Sequence, residues 1–331
     1  MASTQEKIRY GIIGFGLFAE RAIAPAINAS ENSELVAIQK RSLPAAREKA
    51  KEYGIPLAFD SAEQLVAHRG VDAVFIVSAN AMHCSETLAA ANAGKHVLVE
   101  KPMAMNTAEA ERMIEACRAA NVKLMVGHML RFSPLVRKMK KIVQSGMLGD
   151  IIFANAEFMY DGSSSPRSWL FDVKLAGGGP VFDIGVHCLD TLRFTLQDEV
   201  TVTKSVLLPR PTETHTEHSA KLALQFSKGT LGSIYCSFDA PFRRTFVEII
   251  GTQGSVSASD FTHNNAIVPL TVNLCKDGKK EKTEIEEIEI PNLYVDEITN
   301  FSESILKNTE PLVPGSVGFQ NQIVLDAAMK S

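Results

Sequence analysis

Short apolar runs alternate with segments of helical character over the first 127 residues. Each run is rich in Ile, Val, Leu and Phe, which is typical of strands buried on both faces of a sheet. The segments between them are about ten residues long, the length of a crossover helix. The predicted strands are 8–13, 35–38, 73–78, 96–100 and 123–126. The pattern therefore predicts an α/β fold, with a parallel, doubly wound Rossmann sheet over residues 1–127.

The remainder of the chain follows a different pattern. A helix is predicted at 134–145, and from Ile151 onward strands are separated by short turns such as 227–229 and 276–279. The predicted strands are 151–160, 201–208, 221–226, 230–238, 245–250, 254–258, 268–274 and 283–290, with helices at 295–307 and from 319. Residues 128–331 should form an α+β domain on a large, mostly antiparallel open sheet. Because broad open faces often contact other copies, we expect a homodimer or homotetramer through this sheet.

The composition is that of an ordinary globular protein. Hydrophobic residues make up 45% and charged residues 22%, and a length of 331 residues suits about two domains. The net charge of −4 argues against nucleic acid or an anionic membrane as the main partner, and no apolar run is long enough to span a membrane. The five cysteines are scattered and lack a CxxC spacing, which favours a reducing, cytoplasmic location and no metal site.

The first candidate site is the loop Gly14-Phe15-Gly16-Leu17-Phe18-Ala19, which lies between a predicted strand and a predicted helix. Its Gly-x-Gly-x-x-Ala spacing is that of dinucleotide-binding loops. Gly14 permits a sharp turn, Gly16 leaves room for a pyrophosphate, and Ala19 allows close packing of helix on strand. The helix start offers free N–H groups to the phosphates. An ordinary strand-turn-helix is the alternative, but the position at the start of a βαβ pattern favours the cofactor.

The end of the second predicted strand bears on which cofactor is bound. NAD sites carry an acidic residue there, about 20 positions past the glycines, which accepts hydrogen bonds from the ribose. This chain has Gln39-Lys40-Arg41-Ser42 instead, without a carboxylate. Lys40 and Arg41 suit the 2′-phosphate of NADP. A solvated basic loop is the alternative, and we favour NADP while NAD remains possible.

Two further segments carry side chains suited to acid–base chemistry. Lys101, in Glu100-Lys101-Pro102, follows a predicted strand at the edge where open α/β sheets bind ligands, although a surface lysine in a turn fits equally well. After three consecutive glycines, Asp183 and His187 lie four residues apart on a predicted helix, where the carboxylate would orient the imidazole. The alternative is an aspartate at a helix start beside a buried histidine.

Four nearby residues are weaker candidates. Trp169, the only tryptophan, suits either stacking on a sugar or nicotinamide or the anchoring of a loop. Arg167 beside it suits either binding of a charged substrate group or a solvated position, and we favour the solvated position. His128 and Arg131 follow a strand and suit either contact with cofactor or substrate or a structural role.

Together these motifs resemble the Gfo/Idh/MocA family of sugar and polyol oxidoreductases. The resemblance spans roughly residues 8 to 190 and keeps the order of the family's motifs. The matching segments are Gly11 to Ala19, Ser78-Ala79-Asn80 with His83, Glu100-Lys101-Pro102, Gly127-His128 through Pro134, and Gly177 to His187.

The resemblance implies a role for each of these residues. Lys101 would lie at the nicotinamide and contact the reacting hydroxyl or carbonyl. His187 would be the general acid/base, and Asp183 would bind a neighbouring substrate hydroxyl. The cofactor would be bound by the loop residues Gly14, Phe15, Gly16, Leu17 and Phe18, by Lys40 and Arg41, and by Ser78, Ala79, Asn80, His83, Glu100 and Lys101. Substrate contacts would come from Lys101, Trp169, Asp183 and His187.

The function predicted from these residues is hydride transfer by an NAD(P)-dependent dehydrogenase or reductase. Its substrate would be a sugar, polyol or related cyclic compound, reacting at a hydroxyl or carbonyl carbon. A noncatalytic NADP-binding sensor or regulator is one alternative, which the retained Lys101, Asp183 and His187 argue against. The resemblance implies a second alternative, a glycosidase that uses tightly held NAD.

Overall fold

The computed structural model describes residues 6–276 and 279–330, and these fall into two compact units. The first unit extends to Gly127 and adds Tyr294–Gln322, and the second comprises His128–Leu293 and the chain from Ile323. The sequence assigned 1–127 to cofactor binding and 128–331 to substrate binding and oligomerisation. Those roles, with their ranges, stay a prediction.

The first unit is built on a six-stranded parallel sheet. Its strands run in the order β3-β2-β1-β4-β5-β6, and every neighbouring pair is parallel. They are β1 (Ile8–Ile13), β2 (Ser33–Gln39), β3 (Leu57–Phe59), β4 (Ala73–Ile76), β5 (His96–Val99) and β6 (Leu124–Val126). The strand order reverses between β1 and β4, and ligands of open α/β sheets bind beyond the carboxyl ends of strands at such a point. The predicted doubly wound sheet is confirmed.

Helices connect these strands. They are α1 (Ala24–Ala29), α2 (Leu43–Tyr53), α3 (Ala62–Ala67), α4 (Asn80–Asn92) and α5 (Thr107–Ala119). A π-helical segment, Ala19–Ile23, precedes α1, and Pro25 lies just after it. Because proline has no N–H for the α-helical ladder, a wider turn before it is a common local solution. Gly54 ends α2 with a left-handed φ of 66°.

The second unit is built on an eight-stranded sheet. Its strands are β7 (Ile151–Asp161), β8 (Val200–Leu208), β9 (Ser219–Phe226), β10 (Leu231–Ser237), β11 (Asp239–Gly251), β12 (Gly254–Ser259), β13 (Ala266–Lys276) and β14 (Lys279–Ile290). The order is β14-β13-β12-β11-β7-β10-β9-β8, in which only the β7–β10 pair is parallel among the described strands. The predicted, mostly antiparallel sheet is confirmed. The turn predicted at 276–279 includes residues outside the described ones.

The strands of this sheet alternate between a covered and an open face. On β7, Ala154, Ala156 and Phe158 are buried, and Phe158 contacts the helical side of the unit. The helices of this unit are α6 (Pro134–Gln144), α7 (Val173–Ala176) and α8 (Val186–Leu196). Apolar side chains also lie on the opposite face, where Val206 is 61% and Ile285 67% exposed.

Two helices close the chain, α9 (Leu293–Leu306) and α10 (Gly315–Lys330). Within the first unit, the hydroxyls of Tyr10 on β1 and Ser302 on α9 lie 2.8 Å apart, and the N–H of Val126 donates to the carbonyl of Val313. These bonds join the late segment to the parallel sheet. Over the described residues, none of the helices combines the length and the apolar character that a membrane crossing needs.

Candidate active site

Gly14 makes the turn that brings β1 to the start of the following helix. Its φ is +82°, and a Cβ at this position would lie 2.7 Å from the Ser78 backbone nitrogen. Both the backbone conformation and the close approach to the chain after β4 therefore require glycine. The first glycine of the motif serves the fold of the first unit itself.

Gly16 differs from Gly14 because nothing in the protein prevents a side chain there. The nearest atom to a Cβ would be the Gly14 carbonyl oxygen at 3.9 Å, and the residue is exposed. The helix that follows presents its N-terminus to this space, and Ala19 packs inward without exposure. An open position beside a helix N-terminus fits the pyrophosphate of a dinucleotide.

The end of β2 holds this loop in place. The Gly14 N–H donates to the side-chain oxygen of Gln39 at 3.0 Å, and the Lys40 ammonium donates to the Phe15 carbonyl at 2.6 Å. Lys40 also lies 3.6 Å from the Glu20 carboxylate. The sequence grouped Lys40 with Arg41 as a phosphate-binding pair, but their surroundings differ, because Arg41 is exposed and lies just before α2.

The remaining loop residues differ in accessibility. The ring of Phe15 is buried against Tyr53, with 5.6 Å between the ring centroids, so only its backbone is available to a ligand. Leu17 and Phe18 are 42% and 36% exposed, respectively.

His83 joins the segments that follow β4 and β5. Its Nδ1 lies 3.0 Å from the Pro102 carbonyl oxygen and its Nε2 lies 3.2 Å from that of Ser78. The ring is fully buried, and this burial lowers its pKa to about 4, against the opposing effect of the two carbonyls. The sequence suggested that His83, Ser78, Ala79 and Asn80 line the cofactor. In the structure His83 links the two segments through these carbonyl contacts. Ser78 and Ala79 are half-buried, and Asn80 is buried.

Glu86 is a member of this region that the sequence did not single out. It is buried on α4, and the Ser78 hydroxyl donates to its carboxylate at 2.5 Å. Burial raises its pKa to about 7, only partly offset by that hydrogen bond. A glutamate in a helix otherwise rich in alanine gives no sequence signal that its side chain points inward.

Glu100 and Lys101 lie at the carboxyl end of β5, as predicted. The Glu100 carboxylate accepts a hydrogen bond from the Lys101 backbone N–H at 3.1 Å, and a Cβ on Gly127 would lie 3.2 Å from its other oxygen. Glu100 is therefore fixed beside Gly127, which leaves little space for a larger residue. The Lys101 side chain is half-buried.

In the second unit, the glycine turn packs against residues from a distant part of the chain. Gly177 has a φ of +78°, and a Cβ on Gly179 would clash with the Glu217 carbonyl oxygen. The buried Glu217 carboxylate accepts the N–H of Val181 at 3.0 Å, at the start of the helical segment that continues into α8. The glycines thus allow Glu217 to cap this segment. Glu217 lies in a polar stretch without periodicity, so its role could not be predicted from the sequence.

Asp183 lies on the π-helical segment Val181–Gly185, immediately before α8. Its two oxygens each accept a hydrogen bond from the Arg167 guanidinium at 3.1 Å, and the Tyr160 hydroxyl donates to it at 3.1 Å. Arg167 was expected to be solvated, and its side chain does keep 40% exposure, but it also forms this two-pronged ion pair. Burial and the neighbouring Asp183 charge raise the pKa of Tyr160, which therefore remains a hydrogen-bond donor.

His187 lies on α8 in the same unit and is half-buried. Its ring centroid is 6.2 Å from that of Phe158 on β7. Trp169 is half-buried in a short 3₁₀ turn, Ser168–Phe171. The structure thus places Asp183 and His187 on consecutive turns of one helical run, as predicted, with the π segment supplying the first of them.

A buried ion pair supports the same helix. Arg131 donates two hydrogen bonds of 2.9 Å to the Asp190 carboxylate, and Nδ1 of His128 lies 3.9 Å from it. Burial opposes ionisation of Asp190, but Arg131, His128 and Arg193 together hold its pKa well below the ordinary value. His128 and Arg131 therefore have a structural role here, and their contact with cofactor or substrate stays a prediction. Across residues 6–276 and 279–330, no three His, Cys, Asp or Glu side chains are grouped to hold a metal ion.

Comparison with known proteins gives two family matches. Residues 8–128 match the model described as an oxidoreductase family with an NAD-binding Rossmann fold, and residues 136–257 match the GFO/IDH/MocA C-terminal domain. The 1,5-anhydro-D-fructose reductase of Ensifer adhaerens is 30% identical over 94% of this chain and 92% of its own length. A D-xylose 1-dehydrogenase (NADP(+)) of Haloferax volcanii is 28% identical over 97% and 96%.

A solved structure of similar fold is the aldose-aldose oxidoreductase of Caulobacter crescentus in complex with glycerol. It superimposes with a TM-score of 0.87 at 28% identity, and the match covers 97% of this chain and 96% of that one.

Replacing Gly16 by alanine tests whether this position is kept small for a ligand or for packing within the protein. We expect Gly16→Ala to change the free energy of unfolding by less than about 1 kcal/mol. The same change should weaken binding of the reduced dinucleotide by about tenfold or more, because the methyl group enters the pyrophosphate space. Nicotinamide fluorescence and chemical denaturation measure the two effects. Gly14→Ala is the contrasting variant and should destabilise by more than about 2 kcal/mol. Unchanged dinucleotide affinity in Gly16→Ala would contradict this assignment.

The buried carboxyl of Glu86 should make stability depend on pH. Its folded-state pKa of about 7 lies above the ordinary value of 4.5, so the folded state holds the proton more tightly than the unfolded state. Stability therefore falls as the pH rises through this window, by up to about 3 kcal/mol for this group. In Glu86→Gln this contribution to the pH dependence should disappear, as measured by denaturant unfolding at pH 5 and pH 8. The exposed Glu111→Gln on α5 is the control and should keep the wild-type slope.

Proposed function

The chain belongs to the Gfo/Idh/MocA oxidoreductase family, and on that premise we propose its reaction. It is an NAD(P)-dependent enzyme that transfers a hydride between nicotinamide and the hydroxyl or carbonyl carbon of a sugar, polyol or related cyclic compound. The names of its relatives, which include a reductase of anhydrofructose and a xylose dehydrogenase, support a substrate of the sugar type.

One observation supports the proposal most directly. Each acid–base side chain lies on an element that hydrogen bonds within its own unit fix in place. Lys101 follows β5, and its backbone is fixed by the Glu100 carboxylate. In the second unit, Asp183 is held by Arg167 and Tyr160 on the helical run that also bears His187. Catalytic groups need such support because small displacements of reacting atoms are costly in rate.

The protein's part in the reaction is alignment and proton movement. The bound nicotinamide would supply the hydride acceptor in one direction and the hydride donor in the other. In the oxidative direction, His187 or Lys101 takes the hydroxyl proton as the C–H bond breaks, and in the reductive direction the same group returns it. The Asp183 carboxylate accepts a hydrogen bond from a neighbouring substrate hydroxyl and so orients the sugar ring.

For the cofactor we propose NADP rather than NAD, with Arg41 as the main contact to the 2′-phosphate. Arg41 is exposed just before α2, whereas the Lys40 ammonium contacts the Phe15 carbonyl and Glu20. A guanidinium also matches the geometry of a phosphate better than an ammonium does. Lys40 is then a support of the glycine loop that adds positive charge nearby.

The oligomer remains part of the proposal. The open face of the eight-stranded sheet carries exposed apolar side chains, among them Val206 and Ile285, and would pair two copies of the chain. Sedimentation velocity at micromolar concentration decides between a monomer and the proposed homodimer or homotetramer. The cytoplasmic location stays a prediction.

The reaction is tested by mixing the protein and NADPH with a panel of keto-sugars and sugar lactones, and following the loss of nicotinamide fluorescence. We expect at least one panel member to be reduced, and Lys101→Ala to lower kcat by about 100-fold or more while NADPH binding is kept. Lys141→Ala, an exposed lysine on α6, is the control. Wild-type turnover in Lys101→Ala would overturn the role of Lys101. Binding without any turnover would favour the sensor, and cleavage of a glycoside without net NADPH change would favour the glycosidase.

Cofactor choice is tested by titrating the wild type and Arg41→Ala with NADPH and NADH. We expect Arg41→Ala to weaken NADPH binding by about tenfold or more and to leave NADH binding within about twofold, because only NADPH carries the 2′-phosphate. Lys51→Ala, in the last turn of α2, should change neither affinity. A wild type that prefers NADH would contradict the proposal for NADP while leaving the reaction type intact.

A further inference from the structure

Arg243 lies on β11 in the second unit, at an irregular point of the sheet. The pairing of β11 with β7 is interrupted between Asp239 and Arg244, so Arg243 stands at the end of the interruption. Two residues later, Thr245 is buried on the covered face of the sheet. Since side chains two apart in a strand share a face, Arg243 leaves the strand on the side of Thr245, although the residue itself is exposed.

The contacts of Arg243 agree with this direction. Its guanidinium carbon lies 5.2 Å from the centre of the Phe158 ring, and a guanidinium nitrogen donates to the Thr262 hydroxyl at 2.6 Å. Phe158 is also the ring that contacts His187, with 6.2 Å between centroids. These two distances limit the separation between the Arg243 guanidinium carbon and the centre of the His187 ring to at most about 11.4 Å, a span that one sugar ring with hydrogen bonds at both ends can bridge.

The charge of Arg243 is not compensated by an adjacent carboxylate. No described residue forms an ion pair with it, although Asp260 is near enough to favour its charge. Asp260 itself lies 3.9 Å from His263. The protein atoms packed near the Arg243 guanidinium lower its pKa, although the residue keeps an exposed surface.

The other arginines of this region are paired. Arg167 shares both oxygens of Asp183, and Arg244 lies 3.3 Å from Glu157 on the open face. The positive charge of Arg167 thus offsets the negative charge of the Asp183 carboxylate. An exposed cation that a threonine and an aromatic ring hold in one orientation is suited to binding an anion.

We propose that Arg243 binds a carboxylate or phosphate carried by the sugar substrate, at a position away from the reacting carbon. The inference rests on the proposed function and narrows its substrate class to acidic sugars, such as hexuronates or sugar phosphates. The planar guanidinium would donate two hydrogen bonds to either anion, and its contact with the Phe158 ring would fix the orientation of the guanidinium plane. Arg243 is then a specificity-determining residue with no part in proton or hydride transfer.

The test compares matched neutral and acidic sugars in binding and in turnover. The probes are glucose, glucuronate and glucose 6-phosphate for binding in the presence of cofactor, measured by calorimetry. For turnover the same three are offered with NADP, and their keto or lactone forms with NADPH. We expect an acidic member to bind at least about tenfold more tightly than glucose, and Arg243→Met to remove that preference. The carboxylate and phosphate arms identify which anion is preferred.

Arg244→Met is the matched control, because it changes the neighbouring arginine on the opposite face and should keep the wild-type preference. Raising the salt concentration should reduce the preference in the wild type and have little effect in Arg243→Met. Equal binding of neutral and acidic sugars by the wild type, or an undiminished preference in Arg243→Met, would overturn the inference. Binding and turnover are measured separately, so the two proposals can fail separately. An enzyme that reduces only neutral sugars contradicts the role of Arg243 and leaves the proposed hydride transfer intact. An acidic preference in binding without any turnover instead refutes the proposed reaction.

Discussion

Pairing a carboxylate with an arginine is the interaction on which the second unit depends. The helical run from Val181 to Leu196 carries Asp183 and Asp190, which are 4% and 2% exposed. An isolated buried carboxylate is strongly destabilising. Arg167 and Arg131 each meet one of them with two parallel hydrogen bonds. Asp183 lies at the start of this run beside Tyr160, and Asp190 anchors the helix that carries His187.

In the glycine segments, the close approach of another part of the backbone decides which residue can occupy a position. At Gly14 the chain after β4 comes too near for any side chain, and at Gly179 the Glu217 carbonyl does the same. These glycines serve internal packing, and their replacement would disturb the fold before any ligand is considered. Gly16 is the exception, since the protein leaves its surroundings empty. The glycine loop therefore contains one glycine that the fold requires and another, Gly16, whose open surroundings fit the proposed dinucleotide.

Much of the architecture follows from local pattern. Apolar runs predict the strands of both sheets except the three-residue β3, Leu57–Phe59, because burial on one or both faces sets their periodicity. The glycine loop and the Asp183–His187 spacing are likewise short-range features that a sequence displays directly. The residues that support these features cannot be read from the local sequence, because they lie far away along the chain. Arg167 is 16 positions from Asp183, and Glu217 is 36 positions from Val181. The different settings of Lys40 and Arg41 were also not predictable, since the Phe15 carbonyl that holds Lys40 is 25 positions away.

That difference between Lys40 and Arg41 bears on how such a protein changes over evolutionary time. Lys40 maintains the shape of the glycine loop, so its loss would affect any dinucleotide bound there. Arg41 lies at the surface, where most substitutions alter stability by less than about 0.5 kcal/mol. If Arg41 is the residue that recognises the 2′-phosphate, then the preference between the two dinucleotides can drift by single surface mutations, while the loop and the sheet beneath it remain intact.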